Sequence, residues 1–429
     1  MVSKQFKKDM GSVFNDLSLV DKLLPVWIIL AMILGILLSV YVPKSRQAFD
    51  GASIVGVSIP LAVGLIVMMI PPLCKVEWEH FFKFFSRTKY LKPILISLAI
   101  NWIVGPFLMF GLAWLTLFDE DEYRRGIIMI GLARCIAMVL LWNEIARGDN
   151  TLCAVIVLIN SLLQVILYAP YQIFFCYVIT GDYNASVTNA GISYSLVSKS
   201  VAFFLGIPLG FGVLIRFASI YTVGLATYEK KMIPLIGPWA LIGLLYTIIV
   251  IFIEKGNDFI KEIGSALRCF VPLVAYFMIM WFGTFFFLRW LSSSNKLVAF
   301  KKSAKRGEVN VVSSTEESAD ENSKLLCGCE EKISKHPTKW VSGCSANYAE
   351  TITQTFTAAS NNFELSLAVA ISLYGSGSKE AIAATFGPLL EVPILLILAF
   401  VAKYFRVKFI WSDVEEEIHA DEEMAELNQ

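Results

Sequence analysis

The chain has little charge. Asp, Glu, Lys and Arg make up only 17% of its 429 residues, against about 25% in soluble domains. Basic and acidic residues number 36 each, so the formal net charge is zero. Without a basic excess nothing neutralises phosphates, and nucleic acid is not an expected partner. The eight cysteines are scattered, too few and too far apart for a disulfide scaffold. No G-x-x-x-x-G-K-[ST] phosphate loop occurs. Gly375-Ser376-Gly377-Ser378-Lys379 is too short for one. Catalytic clusters and cofactor motifs are also missing, so neither an enzyme nor a cofactor is expected. Cys327, Cys329, Cys344 and His336 share one polar segment, but their spacing fits no standard zinc pattern. His80 and His419 are isolated. No metal site is expected.

Apolar residues are what the chain has, at 56%. The mean hydropathy is +0.64. Runs of about 20 apolar residues read as transmembrane helices. Ten such runs occur, over 24–42, 54–73, 94–117, 126–146, 151–178, 197–220, 235–253, 266–291, 350–373 and 381–404. The expected fold is therefore an all-α polytopic membrane protein. A tail at 1–23 precedes eight spans in 24–291. A Ser-, Lys- and Glu-rich segment at 292–348 is expected to be a disordered cytosolic loop. Two more spans lie in 349–404, and 405–429 is an acidic tail.

Lys and Arg sort between the two sides. With a cytosolic N-terminus the inner segments carry 26 of them and the outer loops seven. Leaving out the long loop, the ratio is still 16 to seven. The positive-inside rule then places both termini in the cytosol. A sequon at Asn184-Ala185-Ser186 falls in an outer loop, where it could accept a glycan.

Ten spans divide into two sets of five. An odd set enters the membrane from the opposite side the second time, as in inverted-repeat transporters. Polar breaks mark both halves: Arg134-Cys135 in span 4, and Asn361-Asn362-Phe363-Glu364 in span 9. At a shift of 229 residues Cys135 falls on Glu364 and Gly148 on Gly377. Both facts point to two inverted five-helix repeats with broken helices 4 and 9.

An ionisable group at mid-bilayer costs roughly 2.5–3.5 kcal/mol on insertion scales. Arg134, Glu364 and Glu391 stand deep in spans. Their joint presence suggests mutual pairing or a polar cavity. Pro388 and Pro393 flank Glu391, and they are expected to break the helical ladder there. Cys135 is the only cysteine near a span centre. Asn160 sits in span 5 with Gln164 one turn on; it could line a cavity or bond a neighbouring helix. Asn143 is a further polar candidate.

Three segments carry a family resemblance: Gly131-Leu-Ala-Arg-Cys-Ile-Ala-Met-Val139, Ser360-Asn-Asn-Phe-Glu-Leu-Ser-Leu-Ala368 and Thr385-Phe-Gly-Pro-Leu-Leu-Glu-Val-Pro393. They resemble the arsenite efflux permeases, the arsenical-resistance carriers of the bile acid/arsenite/riboflavin transporter superfamily. Similarity extends through Val57-Ser-Ile-Pro-Leu61, Met68-Met-Ile-Pro-Pro72, Asn101-Trp-Ile-Val-Gly-Pro106 and Asn160-Ser-Leu-Leu-Gln164. It is strongest to fungal plasma-membrane members. The resemblance implies ten spans in two inverted repeats, with spans 4 and 9 crossing where they unwind. It implies export of trivalent arsenite, and in fungi antimonite, in exchange for protons. Cys135, Glu364, Arg134 and Asn160 are then the expected substrate-binding residues. Glu364 and Glu391 are the expected proton-coupling ones. Read on the residues alone, two rivals stay open: a sodium-coupled organic-anion carrier of the same architecture, and a membrane receptor that does not transport. Nothing in the residues speaks to oligomeric state.

Overall fold

The structure, a computed structural model, describes residues 23–42, 53–76, 78, 88–136, 138–181, 194–261, 263–294, 346–375, 377–409 and 411. The N-terminal tail to residue 22 lies outside the described residues, as do His80, Asn184, residues 295–345 with Cys327, Cys329, His336 and Cys344, and the acidic tail from Asp413 with His419.

Among the described residues, six helices are long and apolar enough to cross a membrane: Leu91–Thr116, Asn150–Val178, Tyr194–Val223, Leu225–Ile253, Ile263–Ser292 and Lys379–Arg406. They coincide with the expected spans 3, 5, 6, 7, 8 and 10. Their outer faces are apolar with no protein against them. Leu95, Ile166, Leu214 and Ile397 are each more than half exposed. Apolar faces of this extent suit hydrocarbon, not water.

The helices run in chain order as follows. α1 is Leu24–Tyr41 and α2 is Ile59–Lys75. α3 (Thr88–Ala99) passes through a wide π turn at Ile100–Val104 into α4 (Gly105–Thr116). α5 is Asp121–Leu132, α6 is Met138–Ile145 and α7 is Asn150–Ile173. α8 (Tyr194–Val201) continues through a second π turn into α9 (Ile207–Val223). α10 is Pro238–Lys261, α11 is Ile263–Arg268 and α12 is Phe270–Ser294. α13 is Tyr348–Ala359, α14 is Phe363–Tyr374 and α15 is Lys379–Lys408.

Local sequence sets several of these ends. The Asp149 carboxylate accepts from the Leu152 amide and starts α7. Ser378 does the same for α15 through the Ala381 amide. Asn347 accepts from the Glu350 amide at the head of α13. Such caps satisfy amides that have no partner within the helix. Glu380 in the first turn of α15, with Arg406 and Lys408 in its last, complements the helix dipole.

One expectation is corrected here. Pro388 and Pro393 do not break span 10, because α15 is continuous from Lys379 to Lys408 with both prolines inside. Each proline removes one ladder bond, but α15 packs along α5 and α14, and the helix carries on.

The helices pack in two groups. α10 lies along α1 and α2, and α9 packs on α2. The other group holds α4, α5, α7, α12, α13, α14 and α15, joined chiefly by α15 on α5, α12 on α13 and α15 on α14. A small hairpin precedes α2. Its strands β1 (Ser53–Ile54) and β2 (Val57–Ser58) pair antiparallel. Both turn residues have positive φ, 52° at Val55 and 78° at Gly56. At Gly56 a Cβ would stand 2.6 Å from the Ser372 carbonyl of α14, so only glycine fits.

Arg268 stands at the end of α11. Its guanidinium forks onto both carboxylate oxygens of Asp119 at 2.7 Å each. The bond from Arg268 holds that carboxyl below its usual range.

Candidate functional site

Two helices stop in the middle of the second group. α5 ends at Leu132, and α6 begins only at Met138. α13 ends at Ala359, and α14 begins at Phe363. The two breaks lie against each other. Arg134 and Asn361 form an isolated antiparallel bridge. The Asn362 amide donates to the Ala133 carbonyl at 3.1 Å. A buried backbone group without a partner costs about 1–3 kcal/mol. Pairing the two breaks with each other removes that cost on both sides.

Gln164 of α7 holds the junction from a third side. Its Oε1 accepts from the Arg134 amide at 3.1 Å and from the Asn362 side chain at 3.4 Å. Ser366 of α14 donates to the Met129 carbonyl of α5 at 3.1 Å. Asn160 lies one turn from Gln164, and its Oδ1 accepts from the Trp102 indole at 3.0 Å. Its side chain thus ties α7 to the π turn between α3 and α4.

Four helix ends meet at the crossing, with opposite partial charges. The C-termini of α5 and α13 are negative, and the N-termini of α6 and α14 are positive. Arg134, fully buried, serves the negative pair. Its Nη2 donates to the Gly131 carbonyl. Its Nη1 donates to the Tyr276 hydroxyl of α12 at 3.1 Å. Tyr276 in turn reaches the Ala358 carbonyl at 3.5 Å and Asn361 Oδ1 at 3.4 Å. Gly105 makes room for this arrangement, since a Cβ there would stand 2.7 Å from Arg134 Nη1. The joint presence of Arg134, Glu364 and Glu391 points to mutual pairing or to a polar cavity. Among the described residues Arg134 forms no ion pair with a carboxylate.

The positive ends face a cavity. It is lined by Cys135, Ile136 and Met138 from the first break, by Asn362 and Glu364 from the second, and by Met69, Pro72 and Leu73 of α2. Asn362 caps α14 by accepting from the Leu365 amide at 3.0 Å, and Glu364 sits in that first turn. Glu391 of α15 is 2% exposed. It accepts a hydrogen bond from Ser360, at the end of α13. Ser360 also lies close to the Cys135 thiol. Thiol, hydroxyl and two carboxyls thus sit in one small region.

Of the residues singled out in the sequence, Cys135 and Glu364 meet at the cavity and Glu391 stands behind Cys135. Arg134 and Asn160 support the crossing and do not line the cavity. Asn143 lies elsewhere, bonded to Asn150 at 2.8 Å and to Thr353 at 2.7 Å. Ser360 and Tyr276 escaped the sequence reading. Ser360 adjoins the Asn361-Asn362 break and could have been found from it. Tyr276 sits in an aromatic-rich span where one tyrosine carries no signal. Among the described residues no three His, Cys, Asp or Glu side chains are placed so that they could hold a metal ion, and the five described cysteines are buried and free.

Comparison with known proteins gives the architecture a family. The sequence profile of the sodium/bile acid symporter family matches residues 62–262. The arsenical-resistance protein Acr3 of Corynebacterium glutamicum is 37% identical over 397 residues, 92% of each chain. An uncharacterised transporter of Synechocystis is 27% identical over 91% of this chain and 90% of its own. The arsenical-resistance protein Acr3 of Alkaliphilus metalliredigens is 25% identical over 90% of this chain and 93% of its own. At that identity and coverage to the Corynebacterium protein, with two helices broken at facing positions around a thiol and a carboxyl, the chain belongs to the Acr3 family of arsenical-resistance proteins.

Proposed function

We propose that this protein is a secondary active transporter that exports trivalent arsenite, and also antimonite, from the cytosol in exchange for protons, and so confers arsenic resistance. It sits in the plasma membrane with ten spans in two inverted five-helix repeats and both termini in the cytosol. The register of the repeat is supported by the helix caps: Asp149 and Ser378 start α7 and α15 and lie 229 residues apart in the sequence.

The observation that carries the reading is the meeting of Cys135 and Glu364 at one cavity between the breaks. Arsenous acid is a small, mostly neutral trihydroxide near pH 7. Its arsenic is soft and favours sulfur. Three thiolates would hold it too tightly for turnover, whereas one thiol among polar neighbours releases it. Cys135 is that thiol. Ligand exchange on arsenic forms one As–S bond, and the thiol proton leaves with a hydroxide as water. The N-termini of α6 and α14 stabilise negative charge that develops on the arsenic hydroxyls. Glu364 exchanges the coupled proton as substrate departs. Glu391, through Ser360, tunes the thiol and passes protons on. Arg134 and Asn160 act from behind, holding the breaks so that both groups face the same space.

The cavity touches the last turns of α2, just before Lys75. With a cytosolic N-terminus that end of α2 faces the cytosol, the side from which an exporter loads. At the opposite end Ser372, Ser200 and the Val55 carbonyl bond one another. Rocking one helix group against the other would open that side and close the first. Inward proton movement supplies about 2.3 kcal/mol per charge per 100 mV. Sodium coupling is less well supported, because the carbonyl ends of α5 and α13 are already engaged by the Arg134 guanidinium and the Tyr276 hydroxyl.

Everted vesicles with an imposed pH gradient test the proposal. Arsenite accumulation should follow the gradient and fall to background in Cys135→Ala. Flux that ignores the gradient and both Cys135→Ala and Glu364→Gln overturns it.

A further inference from the structure

Each helix break sends one residue into the protein and the next one to the cavity. Arg134 is fully buried, and its neighbour Cys135 lines the cavity. Phe363 is 2% exposed, and its neighbour Glu364 lines the same cavity. Consecutive residues of α12 meet the two buried members. Arg134 Nη1 donates to the Tyr276 hydroxyl at 3.1 Å, and the Phe277 ring centroid lies 6.3 Å from that of Phe363. Each buried member also faces a glycine on a neighbouring helix, Gly105 against Arg134 and Gly387 of α15 against Phe363.

Gly387 stands inside α15, where glycine destabilises a helix relative to alanine. Its φ is not positive, so the backbone there accepts any L residue. The proline that follows does not demand glycine either, because Val392 precedes Pro393 in the same helix. The space beside it does: a Cβ on Gly387 would overlap the Phe363 ring. One turn on, Glu391 accepts from Ser360. Positions i and i+4 share a helix face. One face of α15 thus straddles the second break, touching Ser360 before it and Phe363 after it.

We propose that Gly387 is a positioning residue for proton coupling: the notch it leaves in α15 seats the Phe363 ring, and the seated ring turns the start of α14 so that Glu364 faces the cavity. The proposal rests on the reading of Glu364 as the coupling carboxyl. Phe363 is the first residue of α14, and Glu364 follows in the same turn. That turn is capped by Asn362, which accepts from the Leu365 amide at 3.0 Å, so ring and carboxyl move as one unit. A methyl group in the notch expels the ring and swings Glu364 out of place. Cys135 keeps its position, because Arg134 is anchored on α5 and α12.

The test uses the full-length chain in everted vesicles. Gly387→Ala should lower arsenite accumulation driven by a pH gradient at least about tenfold, as for a reacting group displaced on the order of an ångström. Exchange of labelled for unlabelled arsenite, which needs Cys135 and no coupled proton, should stay within about twofold. Gly387→Ala combined with Phe363→Leu gives the methyl the room that the ring edge vacates, and accumulation should return to within about threefold of wild type. A second readout needs no transport. In a Glu364→Cys chain, modification of position 364 by a water-soluble maleimide from the cytosolic side, read by peptide mass spectrometry, should slow about fivefold or more with Gly387→Ala and recover with Phe363→Leu added. Full accumulation in a folded Gly387→Ala chain, or a double variant no better than Gly387→Ala in both readouts, overturns the proposal. If Gly387→Ala does not insert, Phe363→Leu decides: with no ring in the notch accumulation should fall while exchange persists, and any other pattern overturns the proposal. Absence of gradient-driven accumulation in the wild type overturns the transport reading instead, and the labelling then decides the role of Gly387 by itself.

Discussion

The hydroxyl of Ser372, near the end of α14, lies 2.7 Å from that of Ser200 on α8. Ser372 also engages the Val55 carbonyl in the hairpin before α2. Both bonds join a broken helix of the second group to segments that lead into α2 and α9 of the first. They close the end of the molecule opposite the Cys135 cavity.

Ser372→Ala removes both bonds. Each hydrogen bond contributes about 0.5–1.5 kcal/mol, so the closed arrangement should lose roughly tenfold in population. Labelling of Cys135 by a membrane-impermeant thiol reagent from the outer side should rise by a similar factor. Unchanged outer labelling in a folded Ser372→Ala variant would show that these bonds do not gate the site.

Cys135→Ala should bring arsenite and antimonite flux to vesicle background while the protein reaches the membrane in normal amount. The residue is small and its replacement removes one sulfur atom, so the packing cost is modest, roughly 1 kcal/mol. Cys135→Ser keeps the hydroxyl pattern but not the soft ligand, and it should transport poorly. Serine equal to cysteine in flux would rule out contact between sulfur and arsenic.

Glu364→Gln preserves shape and removes the proton-carrying carboxyl. Net export driven by a pH gradient should stop. Exchange of labelled for unlabelled arsenite across the membrane should persist, since substrate binding by Cys135 remains. Loss of both activities together would make Glu364 a binding residue only.

Arg134→Leu leaves the carbonyl ends of α5 and the Tyr276 hydroxyl without their donor. Loss of several buried hydrogen bonds to a charged group should cost about 2–4 kcal/mol. Gly105→Ala presses on the same guanidinium from 2.7 Å and should cost about 1–3 kcal/mol. Both should lower the thermal midpoint of the purified protein. The arsenite affinity of the folded fraction should stay within about threefold, a change below about 0.7 kcal/mol. A large affinity loss at unchanged stability would place Arg134 in contact with substrate.

The two breaks were legible in the sequence because polar residues inside an apolar run are expensive and rarely accidental. Arg134-Cys135 and Asn361-Asn362 announced themselves in that way, and the 229-residue shift already set Cys135 against Glu364. The prolines of span 10 misled for a local reason. A proline's missing N–H is certain from sequence, but continuation of the helix depends on the neighbours it packs along. Gln164 was visible as one turn from Asn160, yet its grip on both breaks depends on α7 passing the junction at the right height. The role of Ser360 rests on Glu391, 31 residues away, and that of Tyr276 on Arg134 and Asn361, which are remote from it in the chain.

Composition by itself determined the membrane setting and the rough placing of the spans, because hydrocarbon tolerates neither scattered charge nor unpaired backbone. It also located the few costly residues that mark the site. Which of these face the cavity was decided by the tertiary structure. Arg134 and Cys135 are neighbours in sequence, but the unwound backbone sends the guanidinium to the carbonyl ends of α5 and the thiol to the cavity beside the positive ends of α6 and α14. That division follows from the direction of peptide dipoles at four helix ends, and no linear pattern of residues specifies where those ends converge.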